Sequence, residues 1–379
     1  MNAQLRVVHV VESLDRGGLE RVVCDLVVEQ VRQGHFIEVF CIFNRGAFAA
    51  ELDDAGIGVI AAGKTRGPSL SVLAALRAVV RRSGHQIVHT HNPVANYYAC
   101  AAELTSWRTR PVINTRHNMG ASDPHDRREK LFRLSVARNA RVAMVSPQVS
   151  LRFIADRIVP AAKATVVMNG IPVRRYVRAE VATRAAARAL LGLDAGAFVV
   201  GTVGRLVPVK NHALLLQAAA PICRAHADAR VVLIGSGELR SELRALADSL
   251  GIAGSLCLPG ERADIARLLP AFDVFTMPSR SEGHSIALLE AAATGLAIIA
   301  TAVGGNPEII EDGVTGLLVP TDDAGALTRA LQSLMADEPR RQALGTRARE
   351  WSLREVSVET MAAKYERIYR DELARRGGG

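Results

Sequence analysis

LRVVHVVESLDRGGLERVVCDLVVEQVRQG, residues 5–34, opens on a nearly continuous β-branched run, turns at Gly17 and Gly18, then sets Leu19, Val22, Val23, Leu26 and Val27 at helical spacing. This reads as a strand, a glycine turn and an amphipathic helix stopped by Gly34. The apolar run at 36–43 restarts the cycle, and further short runs follow at 59–61, 87–90, 112–115, 142–145 and 165–168, separated by helix-length segments. Short buried strands alternating with helices specify a parallel sheet covered on both faces.

The rhythm breaks over 171–197, where Pro172 precedes an Arg/Ala-rich stretch and then Gly192 and Gly196. It resumes at 198–203 and continues at 230–234, 255–258, 274–277, 297–300 and 316–319, so a second doubly wound α/β domain is predicted. The boundaries expected are a first domain over 1–172, a connection over 173–196 and a second domain over 197–355. After about residue 322 the chain reads as helical, ending in the amphipathic stretch WSLREVSVETMAAKYERIYRDEL and an RRGGG tail. No repeat with a period of 20 to 50 residues is visible, which argues against a solenoid.

Length agrees with two domains, since 379 residues is more than twice the roughly 150 typical of one. With 49% apolar and 22% charged residues, the composition is that of a folded globular chain and excludes disorder. The net charge of +9 favours an anionic partner, whether nucleotide, phosphorylated metabolite, nucleic acid or acidic membrane surface. Nucleic acid fits poorly, because aromatic residues are only 4% and no recognition motif is present. Cys24, Cys41, Cys100, Cys223 and Cys257 fall singly in apolar segments, without metal or disulfide spacing, and read as core residues of a reducing compartment. No leader pattern opens the chain and no window approaches ~18 apolar residues, so a cytoplasmic protein without a transmembrane anchor is expected.

In open parallel sheets, ligands collect beyond the carboxyl ends of the strands, and four stretches lie there. Gly17 and Gly18 sit at a helix N-terminus, suited either to a phosphate or simply to a tight turn; the dinucleotide pattern G-x-G-x-x-G is absent. His91, with Asn92, and His117, with Arg116 and Asn118, follow two later strands, and no third residue at metal spacing joins them, so no metal site is read. Arg205 and Lys210 flank a Pro-containing turn after the first strand of the second domain, where a guanidinium fork and an ammonium can hold the two phosphates of a diphosphate. The strongest stretch is PSRSEGHSIALLEAAATG, residues 278–295. Its helix starts near Ser285 and stops at Gly295, placing the amides of Gly283, His284, Ser285 and Ile286 at an anion-binding end, with Glu282 before it for sugar hydroxyls and Glu290 either within reach of a ribose or simply an early-helix acid favoured by the dipole.

Between residues 105 and 141, Arg108, Arg110, Arg116, Arg127, Arg128, Lys130, Arg133, Arg138 and Arg141 face only Asp123, Asp126 and Glu129, with Trp107, Phe132 and Leu134 interspersed. A basic surface of this kind suits docking on anionic lipid at about 1 kcal/mol per cation, an ordinary solvated face being the competing reading.

Taken together, GGLERVV (17–23), HTHNP (89–93), NTRHN (114–118), GRLVPVKN (204–211), IGSGELR (234–240), the 278–295 stretch and VGGNPEIIEDGVTGLLVP (303–320) resemble the family 4 glycosyltransferases, group 1 type, in the family's motif order. Glu282 and Glu290 match its E-x7-E pattern. The resemblance implies a GT-B fold, two Rossmann-like domains facing across a cleft, with a final helix at about 356–376 packing back on the first domain. It implies a retaining transferase that moves a hexose-type sugar from a nucleoside-diphosphate sugar to a lipid-linked or saccharide acceptor in cell-surface polysaccharide, lipopolysaccharide or glycolipid assembly, including peripheral work on the cytoplasmic face of an anionic inner membrane. By resemblance His117 and Glu282 are the catalytic pair; Arg205, Lys210, Glu290, Gly235, Gly237 and the 283–286 amides hold the donor; Gly17, Gly18, His91, Asn92 and Arg116 line the acceptor side. No D-x-D motif occurs in the sequence, so neither a metal nor another cofactor is expected. His284 departs from the apolar residue many members carry there. The alternatives are a nucleotide-sugar epimerase of the same fold, or a non-catalytic nucleotide-sugar-binding partner subunit.

Overall fold

The computed structural model describes residues 3–65, 67–104, 106, 109–117 and 127–377. The chain divides into two compact units: residues 1–170 with 358–379, and residues 171–357.

Unit 1 carries seven parallel strands, β1 (Arg6–Val11), β2 (Phe36–Cys41), β3 (Gly58–Ala61), β4 (Ile87–His91), β5 (Val112–Arg116), β6 (Arg141–Met144) and β7 (Ala164–Val166), in the order 3-2-1-4-5-6-7. The order reverses between β1 and β4, so the crevice for a ligand opens beyond their carboxyl ends. One sheet face is apolar: Val8, Val10 and Val88 pack with Val72, Leu76, Ala95 and Ala99. The opposite face is polar in mid-sheet, because register pairs His9 with His89 and His91 with Thr115. Residues two apart share a face, so His89 and His91 project together. The helix Gly18–Arg32 and the last helix, Val358–Gly377, cover that face through Gln30, Tyr365 and Tyr369.

Unit 2 carries six parallel strands, β8 (Phe198–Val203), β9 (Ala229–Ile234), β10 (Leu256–Gly260), β11 (Val274–Met277), β12 (Ala297–Thr301) and β13 (Leu317–Val319), ordered 10-9-8-11-12-13. Its switch point lies between β8 and β11. Phe272, Phe275, Leu288, Leu289 and Ile298 centre one core and Leu214, Leu215, Val231, Leu233 and Leu327 the other, one on each sheet face. The expected strands are all present, with ends displaced by at most two residues.

The stretch read as a connection is not one. Residues 171–196 belong to unit 2, where the helix Val181–Leu190 is tied down by Asp273: Arg188 donates to it at 2.7 Å, Arg184 at 3.1 Å and the Val199 amide at 2.8 Å. Its Arg/Ala composition reads as linker because the anchor is a single acid some 85 residues away. Among the described residues no helix is long and apolar enough to cross a membrane.

Candidate active site

In unit 2 the expected residues converge at the carboxyl ends of β8 and β11. The chain leaves β8 through Gly204 and Arg205 into a short turn, Pro208–Lys210, and Asn211 completes it in the left-handed region at φ 51° before the next helix starts. Lys210 Nζ lies 2.6 Å from Glu282 Oε1, and the Ser279 hydroxyl donates to the same oxygen at 2.6 Å. Glu282 is 9% exposed, so its charge is held by a cation and a hydroxyl rather than by water. Arg205, in the loop that follows β8, is exposed. The Arg280 amide donates to the Val209 carbonyl at 2.8 Å, strapping the two loops together.

The helix Ile286–Thr294 begins directly after this turn, with Ser285 as its N-cap and no bond from that side chain to the helix amides, and ends at Gly295 with φ 76°. A helix N-terminus aimed beyond the sheet edge, next to Lys210 and Arg205, is a site for an anion with several oxygens. Glu290 is partly exposed one turn on and accepts from the Tyr176 hydroxyl at 2.7 Å. The His284 side chain is buried, and burial lowers its pKa to about 4.

Gly235 and Gly237 act at one remove. Both sit at strongly positive φ, 148° and 154°, and a Cβ on either would run into the carbonyl of Gly204 or Leu206. They let the β9 loop brace the Arg205 turn. The sequence reading missed the equivalent brace on the other side: Gly304 and Gly305 press against the Glu282 and Gly283 carbonyls, and the Gly305 amide donates to the Gly283 carbonyl at 3.0 Å. The available signal was the adjacent glycine pair directly after a buried strand.

Unit 1 differs more from expectation. His117 sits at the end of β5, partly exposed, with its Nε2 3.0 Å from Nδ1 of His91. His91 does not line the edge; it is 2% exposed and its Nε2 lies 3.0 Å from Nδ1 of His9, whose Nε2 meets Gln30 Oε1 at 2.8 Å. Arg116 is also interior. Because Thr115 faces the histidine side, Arg116 points to the other face, where it pairs with Glu129 at 2.8 Å between the rings of Phe132 and Phe153. Asn92 makes the strand-to-helix elbow at φ 68°. Gly17 adopts extended backbone at φ −171°, so no turn geometry requires glycine there, and Gly18 opens the helix exposed. Asn118 lies outside the described residues.

His9, His89 and His91 bring ring nitrogens within 4.8 Å of one another, a grouping the metal-spacing argument overlooked. All six of those nitrogens are in hydrogen bonds: besides the contacts above, His89 meets Tyr369 at 2.5 Å and Thr115 at 2.7 Å. The signal for this network was a histidine in the middle of each of two apolar strands. Burial lowers the pKa of His9 to about 4 and of His117 to about 3, and holds His89 and His91 well below the ordinary value.

These groups are neutral in the folded protein and protonate on unfolding below about 6.5, so stability is full above that value and falls as pH drops toward about 4. At about pH 5, His9 alone costs about 2 kcal/mol, at roughly 1.4 kcal/mol per pH unit. Unit 1 should melt roughly 5 °C lower at about pH 5 than at about pH 7.5. Equal melting temperatures at the two values would show that the rings are not buried neutral.

Solved structures with this architecture include HepE of Anabaena in complex with UDP-glucose, which superposes with a TM-score of 0.85 at 21% identity over 97% of this chain and 100% of that one. The fold is therefore GT-B. Residues 16–175 match the family described as Glycosyltransferase Family 4, and residues 183–351 match Glycosyl transferases group 1. The D-inositol 3-phosphate glycosyltransferase of Rhodococcus opacus is 30% identical over 367 residues, covering 88% of this chain and 81% of its own. The GDP-mannose-dependent monoacylated alpha-(1-6)-phosphatidylinositol monomannoside mannosyltransferase of Corynebacterium glutamicum is 33% identical over 211 residues, 54% of this chain and 55% of that one. The chain belongs to the family 4 glycosyltransferases, group 1 type, and is a glycosyltransferase.

Proposed function

We propose that this enzyme transfers a hexose-type sugar, with retention of anomeric configuration and without a metal, from a nucleoside-diphosphate sugar bound on unit 2 to a hydroxyl of a lipid-linked or saccharide acceptor bound on unit 1. The observation that carries the reading is the Lys210–Glu282 pair, held beside Arg205 at the N-terminus of the helix Ile286–Thr294. Breaking a sugar–phosphate bond leaves negative charge on the departing diphosphate, and fixed cations with helix amides stabilise that charge, which is the task a metal would otherwise perform. In this reading Glu282 binds the sugar hydroxyls, Glu290 the ribose, and His117 serves the reacting sugar.

HepE binds UDP-glucose, while the two relatives are named for an inositol phosphate and for a phosphatidylinositol mannoside, so a phosphate-bearing acceptor fits the excess of cations here. Part of the basic tract is spent inside the fold, on Glu129 for Arg116, Glu103 for Arg110 and Glu372 for Arg141. Lys130, Arg133 and Arg138 remain exposed, alongside exposed Leu131, Leu134 and Leu151 on neighbouring helices. Apolar tips among cations support peripheral work at an anionic membrane on its cytoplasmic face, in the assembly of a cell-surface glycoconjugate.

Thermal shift against UDP-, GDP- and ADP-sugars in EDTA tests the donor. At a concentration a hundredfold above Kd, the matching donor adds about 2.7 kcal/mol of stability. One donor should stabilise selectively, EDTA should not reduce transfer, and NMR of the product should show the donor's anomeric configuration. Loss of transfer in EDTA, an inverted product, or conversion of the donor to its epimer without any acceptor would overturn the reading. Sedimentation with vesicles of anionic phospholipid, but not of neutral phospholipid, is expected in the same preparation.

A further inference from the structure

Among the described residues, four other than glycine have positive φ, and two of the four are bonded to each other. Asn211 lies at 51° and Asp322 at 57°, and the Asn211 side-chain amide donates to Asp322 Oδ1 at 2.9 Å. The left-handed region is uncommon for a residue with a Cβ, and such positions persist where their surroundings hold them. Neither residue is there for its own helix. Asn211 directly precedes the helix His212–Ala225, yet its side chain makes no bond to that helix. An Asn at a helix start ordinarily turns its oxygen onto the free amides; here the side chain reaches a residue 111 positions away. Asp322 stands next to Asp323, and it is Asp323 that caps the helix Ala324–Ala336, accepting from the Ala326 amide at 2.8 Å.

The same Asp322 oxygen accepts from Arg280 Nε at 2.9 Å. Three loops therefore meet on one atom, those that follow β8, β11 and β13. Asn211 comes directly after Lys210, and Arg280 two residues before Glu282, so Asp322 is tied to both sides of the 2.6 Å contact between Lys210 and Glu282. The Arg280–Asp322 pair is half-exposed and contributes little to stability, as surface ion pairs do. Asn211 is 5% exposed, so its end of the clasp is shielded from water.

We propose that Asp322 is a positioning residue for sugar transfer: by holding Asn211 and Arg280 it fixes the spacing of Lys210 and Glu282. All of these residues belong to unit 2. The clasp is a property of the fold, and its use on a donor rests on the functional reading above.

Glycine separates a clasp from a turn. It is unstrained at φ 57°, so Asp322→Gly is harmless to a residue that serves the turn alone. Release of nucleoside diphosphate from UDP-glucose, GDP-mannose and ADP-glucose reads turnover without a known acceptor. In Asp322→Gly turnover should fall roughly tenfold, about the worth of one hydrogen bond to a charged group, with the melting temperature within a few degrees of wild type. Asn211→Gly opens the same bond from its other end and should lose as much, and the two replacements together should cost no more than either alone. Asp322→Asn keeps an accepting oxygen and tolerates the left-handed region, so it should recover most of the rate. In the Lys210→Met background, Asp322→Gly should change turnover less than twofold, because the group it positions is gone, whereas a general structural loss would repeat in full. Wild-type turnover in both glycine variants, or a tenfold loss undiminished in the Lys210→Met background, overturns the inference. Wild-type turnover in Lys210→Met instead overturns the donor reading of the pair, whatever Asp322→Gly does.

Discussion

Lys210→Met should lower sugar transfer by about 10²–10³-fold, the usual effect of removing one fixed group that stabilises transition-state charge. Lys210 does two things at once. It supplies a positive charge at the end of β8, and it neutralises Glu282, whose carboxylate is 9% exposed and otherwise bonded to the Ser279 hydroxyl. Its loss should weaken donor binding and cost about 1–3 kcal/mol of stability, because a buried carboxylate loses a partner. Glu282→Gln separates the two roles. The amide keeps the shape while Lys210 is released from its counter-charge, so donor affinity should hold or tighten even as transfer falls. Isothermal titration with the donor and initial rates for both variants check this pair of opposite outcomes. Wild-type rates in Lys210→Met would remove unit 2's cation from the chemistry.

Gly304→Ala should be as damaging without touching any charged group. At φ 53° a side chain is already strained, and the new Cβ would meet the backbone carbonyl of Glu282, which cannot yield as a flexible side chain would. The turn carrying Glu282 must shift, and a displacement of about 1 Å at a positioned group costs roughly 10²-fold in rate. Gly313→Ala is the control: its φ is 74°, so it carries comparable strain, but open space surrounds its Cβ position. Gly313→Ala should retain nearly full activity with a small loss of melting temperature. Equal rates in the two variants would mean that the Gly304 contact does not position Glu282.

Strand count, the alternation of strands with helices and the positions of Lys210 and Glu282 beyond strand ends were legible because each depends on local pattern: β-branched runs, glycine stops, and charged residues just beyond a buried strand. Arg116 was misread for a physical reason. Whether the last residue of a strand faces the ligand edge or the core depends on its parity, and Arg116 has the parity opposite to Thr115, toward Glu129 and Phe132. His91 follows the same rule in reverse, since its parity aligns it with His9 across the sheet. Gln30, Tyr365 and Tyr369 were beyond reach, because their roles require knowing which helix lies over which strand, with up to 339 positions between partners. Arg188 and Asp273, 85 residues apart, hid unit 2's first helix for the same reason.

The return of the last helix to unit 1 has a consequence for synthesis. Unit 2 is continuous over 171–357, whereas unit 1 is interrupted by it and needs Tyr365 and Tyr369 to satisfy Thr115 and His89. On the ribosome the first sheet therefore emerges with its polar face covered only by the helix Gly18–Arg32, and the last helix can close the rest only after the whole of the second unit has been made. The later-made unit is continuous in sequence, whereas the earlier-made unit is complete only once residue 369 has cleared the exit tunnel.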